Sequence, residues 1–296
     1  MGLSAGLLLV GLGLAAALDV RDREVPDGLW VGMALVGTVL GGLAVAPGGW
    51  GPLLLWVLAA GFVLEHLLPW DSTFEGSSTA DWVEVGVYLV VLGIVGGAVV
   101  RLGLGPAAVP VSVVAVVVSV LFARGLFEAG VLFGGADAKA VMVAGLMVPI
   151  FATSLVALPS SVQPVTSVIP FSVDLLLDAA LLSVSVPVAL AVLNARRGEF
   201  RLRDGFTTYS IPVADLPRRW VWVRDPAFPV DRAEEEAIET SEEDQQWRTR
   251  IAADLQARSV PRVRVGPQLP FVVFLFAGAI LAIAVGNVIL DLLVML

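Results

Sequence analysis

Residues 2–18 read GLSAGLLLVGLGLAAAL, and residues 19–27 continue with DVRDREVPD, so a long apolar run ends abruptly in a charged stretch. A bilayer core is about 30 Å thick and an α-helix rises about 1.5 Å per residue, so this run predicts a helix that spans a membrane. It has neither the basic start nor the small-residue cleavage site of a signal peptide. We therefore interpret it as a retained first membrane helix that ends at Asp19.

The same apolar pattern recurs along the chain, which is 57% hydrophobic and has a mean hydropathy of +0.89. Further apolar runs predict membrane helices at residues 29–46, 53–68, 82–100, 107–123, 137–158, 173–193 and 269–293. Because these runs are continuous rather than alternating, they favour helices over barrel strands. The predicted fold is an all-α, polytopic membrane helical bundle of about eight transmembrane helices.

The composition changes between the last two predicted helices, where residues 196–268 hold most of the arginines, two acidic clusters and many prolines. This pattern predicts a roughly 70-residue extramembrane insert, partly flexible, in which residues 231–258 can form a charged surface helix. The insert is either a partner-binding or regulatory module or a solvated loop. The predicted parts are a membrane core at 1–195, the insert at 196–268 and a final helix at 269–296.

The residue types that the sequence lacks limit the kinds of catalytic and metal-binding site that it can form. The chain has no cysteine, which excludes disulfides, thiol catalysis and cysteine-based metal sites. His66 is the one histidine, so a site with several histidines is excluded as well. The remaining reactive groups are carboxylates, hydroxyls, arginines and one lysine. We therefore expect no metal, no cofactor and no nucleic-acid partner.

Basic residues lie in alternate loops, and such a bias marks the cytoplasmic side of a membrane protein. The loops after predicted helices 1, 5 and 7 carry Arg21, Arg23, Arg124, Lys139, Arg196, Arg197, Arg201 and Arg203, whereas those after helices 2, 4 and 6 carry only Arg101. This predicts a cell-membrane protein with both termini outside. Asp19 and Asp137 then lie at the same cytoplasmic surface.

Two carboxylates at one membrane surface suggest an aspartyl dyad, because ionisable residues in membrane helices are functional candidates by default. In such a pair one carboxyl is protonated and the other is ionised and activates water. The dipole of the helix that begins at Asp137 favours an ionised carboxylate there, so we provisionally expect Asp137 to be the base. The alternative is that Asp137 only caps its helix.

Two short motifs carry a resemblance to a known family. The run from Asp19 through Arg23 to Pro26 and Asp27 resembles the first-aspartate signature of the type IV prepilin peptidases. The run Gly134, Gly135, Ala136, Asp137, Ala138 and Lys139 resembles their second signature, Gly-x-Gly-Asp-x-Lys. Ala136 departs from the usual glycine and is similar to the archaeal branch, which includes preflagellin peptidases. A later Pro270-Phe271 pair before an apolar helix is also similar to that branch.

The resemblance implies an aspartic endopeptidase whose partner is a prepilin or archaellin precursor with a basic leader and a hydrophobic helix. Cleavage would occur at the cytoplasmic membrane face. The predicted loop between helices 3 and 4 has no basic residue and would attract a basic leader, although a solvated loop explains it as well. Its acidic residues are Asp71, Glu75, Asp81 and Glu84. The resemblance does not fix the oligomeric state.

Several other polar residues have simpler explanations. Arg21 and Arg23 are expected to anchor the topology, and Asp22 and Asp27 to be interfacial charges. The same placement is expected for His66, for Asp291 and for the pair Asp174 and Asp178, although that pair lies on one helix face and would also suit a cation. Tryptophans near predicted helix ends are expected to form an aromatic belt: Trp50, Trp56, Trp70 and Trp82.

Two other classes of function stay open at this point. A transporter would use acidic residues along a pathway through the bundle. A non-catalytic membrane scaffold would bind a partner through residues 196–268. The sequence shows no paired broken helices and no inverted repeat that would favour a transporter.

Overall fold

A computed structural model describes residues 2–67, 79–132, 134–150, 169–228, 230 and 241–286. Within these residues the fold is predominantly helical, with ten α-helices and a small sheet. The helices are α1 (Gly2–Asp22), α2 (Asp27–Val45), α3 (Trp50–Leu67), α4 (Thr79–Leu102), α5 (Val111–Glu128), α6 (Gly135–Met147), α7 (Phe171–Ser183), α8 (Ser185–Arg196), α9 (Ser241–Ala257) and α10 (Phe271–Ala284). The strands are β1 (Tyr209–Pro212), β2 (Val221–Val223) and β3 (Arg262–Pro267).

The helices confirm the predicted class, an all-α membrane-type bundle. Among the described residues, six segments are long and apolar enough to cross a membrane: α1, α2 with the short turn after it, α3, most of α4, α5, and α7 continued by α8. The two remaining predicted helices correspond to α6 and α10, which are shorter within the described residues. Predicted helix 7 is two helices, because the chain turns at Val184 between α7 and α8.

Two compact units divide the chain. The first unit comprises Met1–Val20, Val25–Leu182 and Phe271–Leu296, and the second comprises Arg21–Glu24 and Ser183–Pro270. The second unit thus takes in the predicted insert at 196–268, together with α8 and Arg21–Glu24, which comprise the last two residues of α1 and the two that follow.

The α6 helix lies at the centre of the first unit, where it packs against α2, α3, α5 and α10. Every residue from Ala138 to Met147 is buried. Small residues allow this close approach: a Cβ on Gly37 of α2 would lie 3.0 Å from the Met147 side chain, and one on Gly145 would collide with Ser119 of α5. Asp137 is therefore carried on the first turn of the most enclosed helix of this unit.

Burial in the first unit corrects several expectations. Trp56 does not belong to an aromatic belt, because its ring is 1% exposed and its indole N–H donates to the Thr38 carbonyl at 2.9 Å. Asp174 and Asp178 are not interfacial, because α7 places both within the bundle. His66 is buried as well. Trp50 is exposed, as a belt residue would be, whereas Trp70 and Asp291 lie outside the described residues.

The second unit has a core of its own, which the sequence prediction of a partly flexible insert did not include. Strand β3 lies between β1 and β2 in an antiparallel sheet, so that Val265 faces Tyr209 on one side and Val223 on the other. Buried apolar residues of the sheet pack with Trp247 and Leu255 of α9. The predicted surface helix at 231–258 is confirmed over Ser241–Ala257, the part of it that is described.

A buried ion pair adds to the second unit. The Arg248 guanidinium lies 3.4 Å from the Asp244 carboxylate and 4.4 Å from the centroid of the Trp220 ring. Burial raises the pKa of Asp244 and lowers that of Arg248, because each charged form loses hydration. The charge of the partner opposes both shifts, so each charge stabilises the ionised form of the other inside the second unit.

Candidate active site

Asp137 lies at the third position of α6, and Gly134 is the N-cap residue. The carboxylate folds back over the start of the helix and accepts a hydrogen bond from the Gly134 backbone N–H. An acid at this position commonly satisfies the N-cap N–H in this way. Asp137 therefore does cap α6, which was the alternative to a catalytic role. It does so from the third helical position and not from the N-cap position.

Gly134 is required by the position of this carboxyl group. A Cβ on Gly134 would lie 2.9 Å from Asp137 Oδ2 and 3.4 Å from its Cγ. Contacts below 3.0 Å are not found around real Cβ atoms, so a side chain at 134 would displace the carboxyl. Among the described residues, nothing lies within 4 Å of a Cβ built on Gly135. The first motif glycine thus has a local steric reason, whereas the described part of the chain shows none for the second.

Asp19 lies in the last turn of α1, and its carboxylate acts electrostatically on Asp137. Burial, followed by the negative charge of Asp19, raises the pKa of Asp137 to about 7. Asp137 is outside the six candidate membrane spans. The structure therefore brings together the two carboxylates that the sequence proposed as a pair, although more than a hundred residues separate them.

The direction of this pKa shift reverses the roles that the helix dipole suggested. The hydrogen bond from Gly134 does favour an ionised Asp137, as an N-terminal position should. Burial and the neighbouring carboxylate oppose it and outweigh it. Both effects favour the protonated form of Asp137, whereas the helix dipole suggested an ionised base there.

A second contact joins the two motifs. The Lys139 ammonium donates a hydrogen bond to Asp27 Oδ1 at 2.6 Å. Lys139 is 7% exposed at its side chain, whereas Asp27, in the first turn of α2, is 56% exposed. Asp27 is therefore more than the interfacial charge that the sequence suggested. It fixes the start of α2 to α6, two residues beyond Asp137.

Replacing Asp27 with alanine is expected to lower the free energy of unfolding by about 1–2 kcal/mol, because the buried Lys139 ammonium loses the charged acceptor at 2.6 Å while water reaches the exposed side. Asp27→Asn keeps an acceptor oxygen and is expected to lose about half as much. Denaturant or thermal unfolding of the full chain in detergent measures both. Equal stability of the alanine variant and the parent protein would contradict this role for Asp27.

The remaining motif residues are placed differently. Pro26 is the N-cap residue of α2, and its fixed φ of −59° suits the start of a helix. Ala136 packs against the core of the first unit. Arg23 belongs to the second unit, where its guanidinium lies 5.7 Å from the Trp220 ring centroid. Its backbone has a φ of +60°, a conformation that favours glycine. This contact with an aromatic ring adds to the expected role of Arg23 as a topology anchor, which stays a prediction.

A polar cluster lies between α3, α4 and α5, and the sequence did not predict it. His66 Nε2 lies 2.5 Å from the Tyr88 hydroxyl, and Arg124 forms ion pairs with Glu84 at 3.6 Å and Glu128 at 2.7 Å. The spacing of Arg124 and Glu128, four residues apart on one helix, was the available signal. Glu84 is thus engaged by Arg124, which weakens its expected part in attracting a basic leader. Asp71 and Glu75 of that loop lie outside the described residues.

No group of three or more histidine, aspartate or glutamate side chains that could hold a metal ion occurs within the described part of the chain. Comparison with family models, with curated proteins and with solved structures found no match to this chain. The case for a function therefore rests on the two motifs and on the geometry that joins them.

Proposed function

We propose that this chain is a membrane-embedded aspartic endopeptidase that uses Asp19 and Asp137 as its catalytic dyad. The observation that carries the proposal is the electrostatic coupling of these two carboxyls, which together with burial raises the pKa of Asp137 to about 7. Two carboxylates that share one proton are what water activation and carbonyl polarisation require together.

In the proposed mechanism Asp19 is the general base. It takes a proton from a water molecule while the oxygen of that water attacks the scissile carbonyl carbon. Asp137 donates its proton to the carbonyl oxygen, so that a neutral tetrahedral intermediate forms. When the carbon–nitrogen bond breaks, the proton on Asp19 passes to the leaving nitrogen, and Asp137 regains its proton from the intermediate. The dyad titrates as a unit, so these roles describe its single-proton state.

The proposed substrate follows from the resemblance of the two motifs to prepilin and preflagellin peptidases. It is a precursor with a short basic leader before a hydrophobic helix, cut at the cytoplasmic face of the membrane. The arginine bias of the loops supports this orientation. The acidic residues Asp71 and Glu75 would attract the leader, and the helix of the precursor would lie in the bilayer beside the bundle.

The direct test is a cleavage assay with the full chain in detergent or in membranes and a co-expressed precursor that carries its leader. We expect a product shortened at its N-terminus, identified by mass spectrometry, only where the chain is present. A precursor lacking its leader is the negative control. A precursor that stays intact with any prepilin-like or archaellin-like leader would contradict the proposal.

Cleavage is expected to decline as the pH rises through about 7, because the dyad then loses the shared proton that Asp137 donates. The rate is also expected to decline in acid, where Asp19 becomes protonated and no base remains. Initial cleavage rates of the full chain between pH 4 and 9 would define both limbs, with a stability measurement at each pH as the control. A rate that continues to rise well above pH 7 would contradict this assignment of roles.

A transporter is the second candidate, and one observation favours it. Asp174 and Asp178 are 4% and 0% exposed on α7, inside a candidate membrane span. Acidic residues at such depth mark ion or proton pathways in many membrane proteins. Proton flux into liposomes that contain the full chain, unaffected by loss of both Asp19 and Asp137, would favour this class over a peptidase.

A further inference from the structure

A cavity in the second unit lies close to the point where the chain leaves a candidate membrane span. That span ends at Arg196, the last residue of α8. Arg197 and Glu199 follow directly and form one side of a cavity of about 540 Å³. The β1 residues Tyr209 to Pro212, together with Arg219 and Arg262, form the rest of its lining. The cavity is thus built next to the expected membrane surface.

The lining is strongly basic, with three arginines against one acid, Glu199. Ser210 orients two of the guanidinium groups. Arg262 donates to the Ser210 hydroxyl and to its carbonyl, each at 3.0 Å, and Arg197 donates to the same carbonyl at 3.4 Å. A guanidinium carries five N–H donors, so most of the donors remain available for an anion.

The acidic side chains near this cavity neutralise the positive charge of its arginines only in part. Glu199 lies 3.8 Å from Arg262, and Asp215 lies 3.5 Å from Arg219. Both distances are long for ion pairs, and the arginine side chains involved are 46% and 50% exposed. Exposed pairs of this kind are weak, so an incoming phosphate would compete with them readily.

A turn beside the cavity exposes apolar side chains, and we call residues 200–206 the apolar turn. Leu202 is 85% exposed, and Phe200 and Phe206 are 37% and 43% exposed with their rings packed edge to face at 5.4 Å. Arg201 and Arg203 lie between them. Aromatic and basic residues just beyond a membrane helix are typical of the interface between headgroups and acyl chains.

We propose that the arginine-lined cavity binds the phosphate headgroup of an anionic phospholipid while the apolar turn enters the acyl boundary of the same leaflet. Charge complementarity explains the headgroup, and the exposed leucine and phenylalanines explain why a lipid is favoured over a dissolved anion. The site would hold the second unit at the membrane surface. The proposal is independent of any peptidase activity.

The test compares lipid binding to the purified full chain by native mass spectrometry in a neutral detergent. Phosphatidylglycerol is the anionic probe, and phosphatidylcholine is the zwitterionic comparison, which has no net charge. We expect the double variant Arg219→Gln/Arg262→Gln to weaken phosphatidylglycerol binding about 10-fold or more. The matched control Arg250→Gln/Arg258→Gln removes the same net charge from α9 and from the residue that directly follows it, outside the cavity, and should bind as the parent chain does. Circular dichroism would establish that all variants are folded.

Two further measurements distinguish a lipid headgroup from a dissolved anion as the source of the bound phosphate group. Leu202→Ser should weaken phosphatidylglycerol binding although it leaves every arginine in place. Inorganic phosphate should displace the lipid only weakly. Equal losses in the two arginine pairs would overturn the site, because bulk charge would then explain binding. Strong displacement by phosphate together with an unaffected Leu202→Ser variant would overturn the lipid assignment in favour of a soluble anion.

Discussion

Replacing Asp137 with asparagine, or Asp19 with asparagine, is expected to reduce leader cleavage by the full chain about 1,000-fold or more. Asparagine has nearly the shape of aspartate but neither donates an acidic proton nor accepts one. The Asp137 variant would therefore lack the acid that polarises the scissile carbonyl. The Asp19 variant would lack the base that activates water. Initial rates of precursor cleavage, measured at equal amounts of folded protein, would give both values.

Asp22 provides the matched control for this experiment. It lies at the end of α1, three residues beyond Asp19, and pairs with its neighbour Arg21 at 2.8 Å in an exposed position. Asp22→Asn changes the same functional group in the same segment and should leave cleavage near the parent rate. Full cleavage by both dyad variants would contradict the proposed chemistry. A similar loss in all three variants would indicate damage to the segment rather than loss of a catalytic dyad.

The sequence predicted the membrane bundle well because a continuous hydrophobic run that is long enough to span a bilayer strongly favours a helix. Apolar runs predicted each helix of the first unit, and most predicted ends differ from those observed by a few residues. The exceptions are the predicted helices at 137–158 and 269–293, which end early, at Met147 and Ala284. The pairing of Asp19 with Asp137 was predicted from two motifs and from the count of helices between them. It required no knowledge of the packing, since it followed from which membrane surface each helix end reaches.

The sequence did not predict which side chains of an apolar helix are buried, because burial depends on which side of the helix faces the protein. Trp56 and Asp178 lie in apolar runs whose periodicity is weak, because a membrane helix is apolar on its lipid face and on its packed face alike. Position within the run suggested an interfacial location, whereas tertiary packing buries both. The small sheet of the second unit was missed for a related reason: strands of three to six residues among prolines and charges carry little pattern.

Lys139 and Asp27 show how tertiary structure adds to a motif. Each was assigned to a signature by resemblance, and spacing alone placed Lys139 on a different side of α6 from Asp137. The ion pair between Lys139 and Asp27 supplies a physical reason for both positions, because it ties the segment after Asp19 to the helix that carries Asp137. Within the first unit this contact links a residue of the first signature to a residue of the second.

Gly134→Ala is expected to lower the rate of cleavage about 10- to 100-fold while changing the stability of the protein little. The new Cβ would lie 2.9 Å from Asp137 Oδ2, closer than such contacts allow. The atoms in its way belong to the end of a side chain rather than to packed backbone, so the clash is relieved when the carboxyl rotates away. The variant should therefore fold normally with its catalytic acid displaced.

Gly135→Ala is the matched control, because the two glycines are neighbours and a Cβ at 135 meets nothing within 4 Å. Alanine also suits the first position of α6 better than glycine, so this variant should be as stable as the parent chain or slightly more stable. Cleavage rates and unfolding midpoints of the two variants would be measured side by side. An equal loss of activity in both would refute the steric explanation, since it would show that the substrate, rather than the Asp137 carboxyl, requires the absence of a side chain. A loss confined to Gly134→Ala would assign the first glycine of the motif to the placement of the acid.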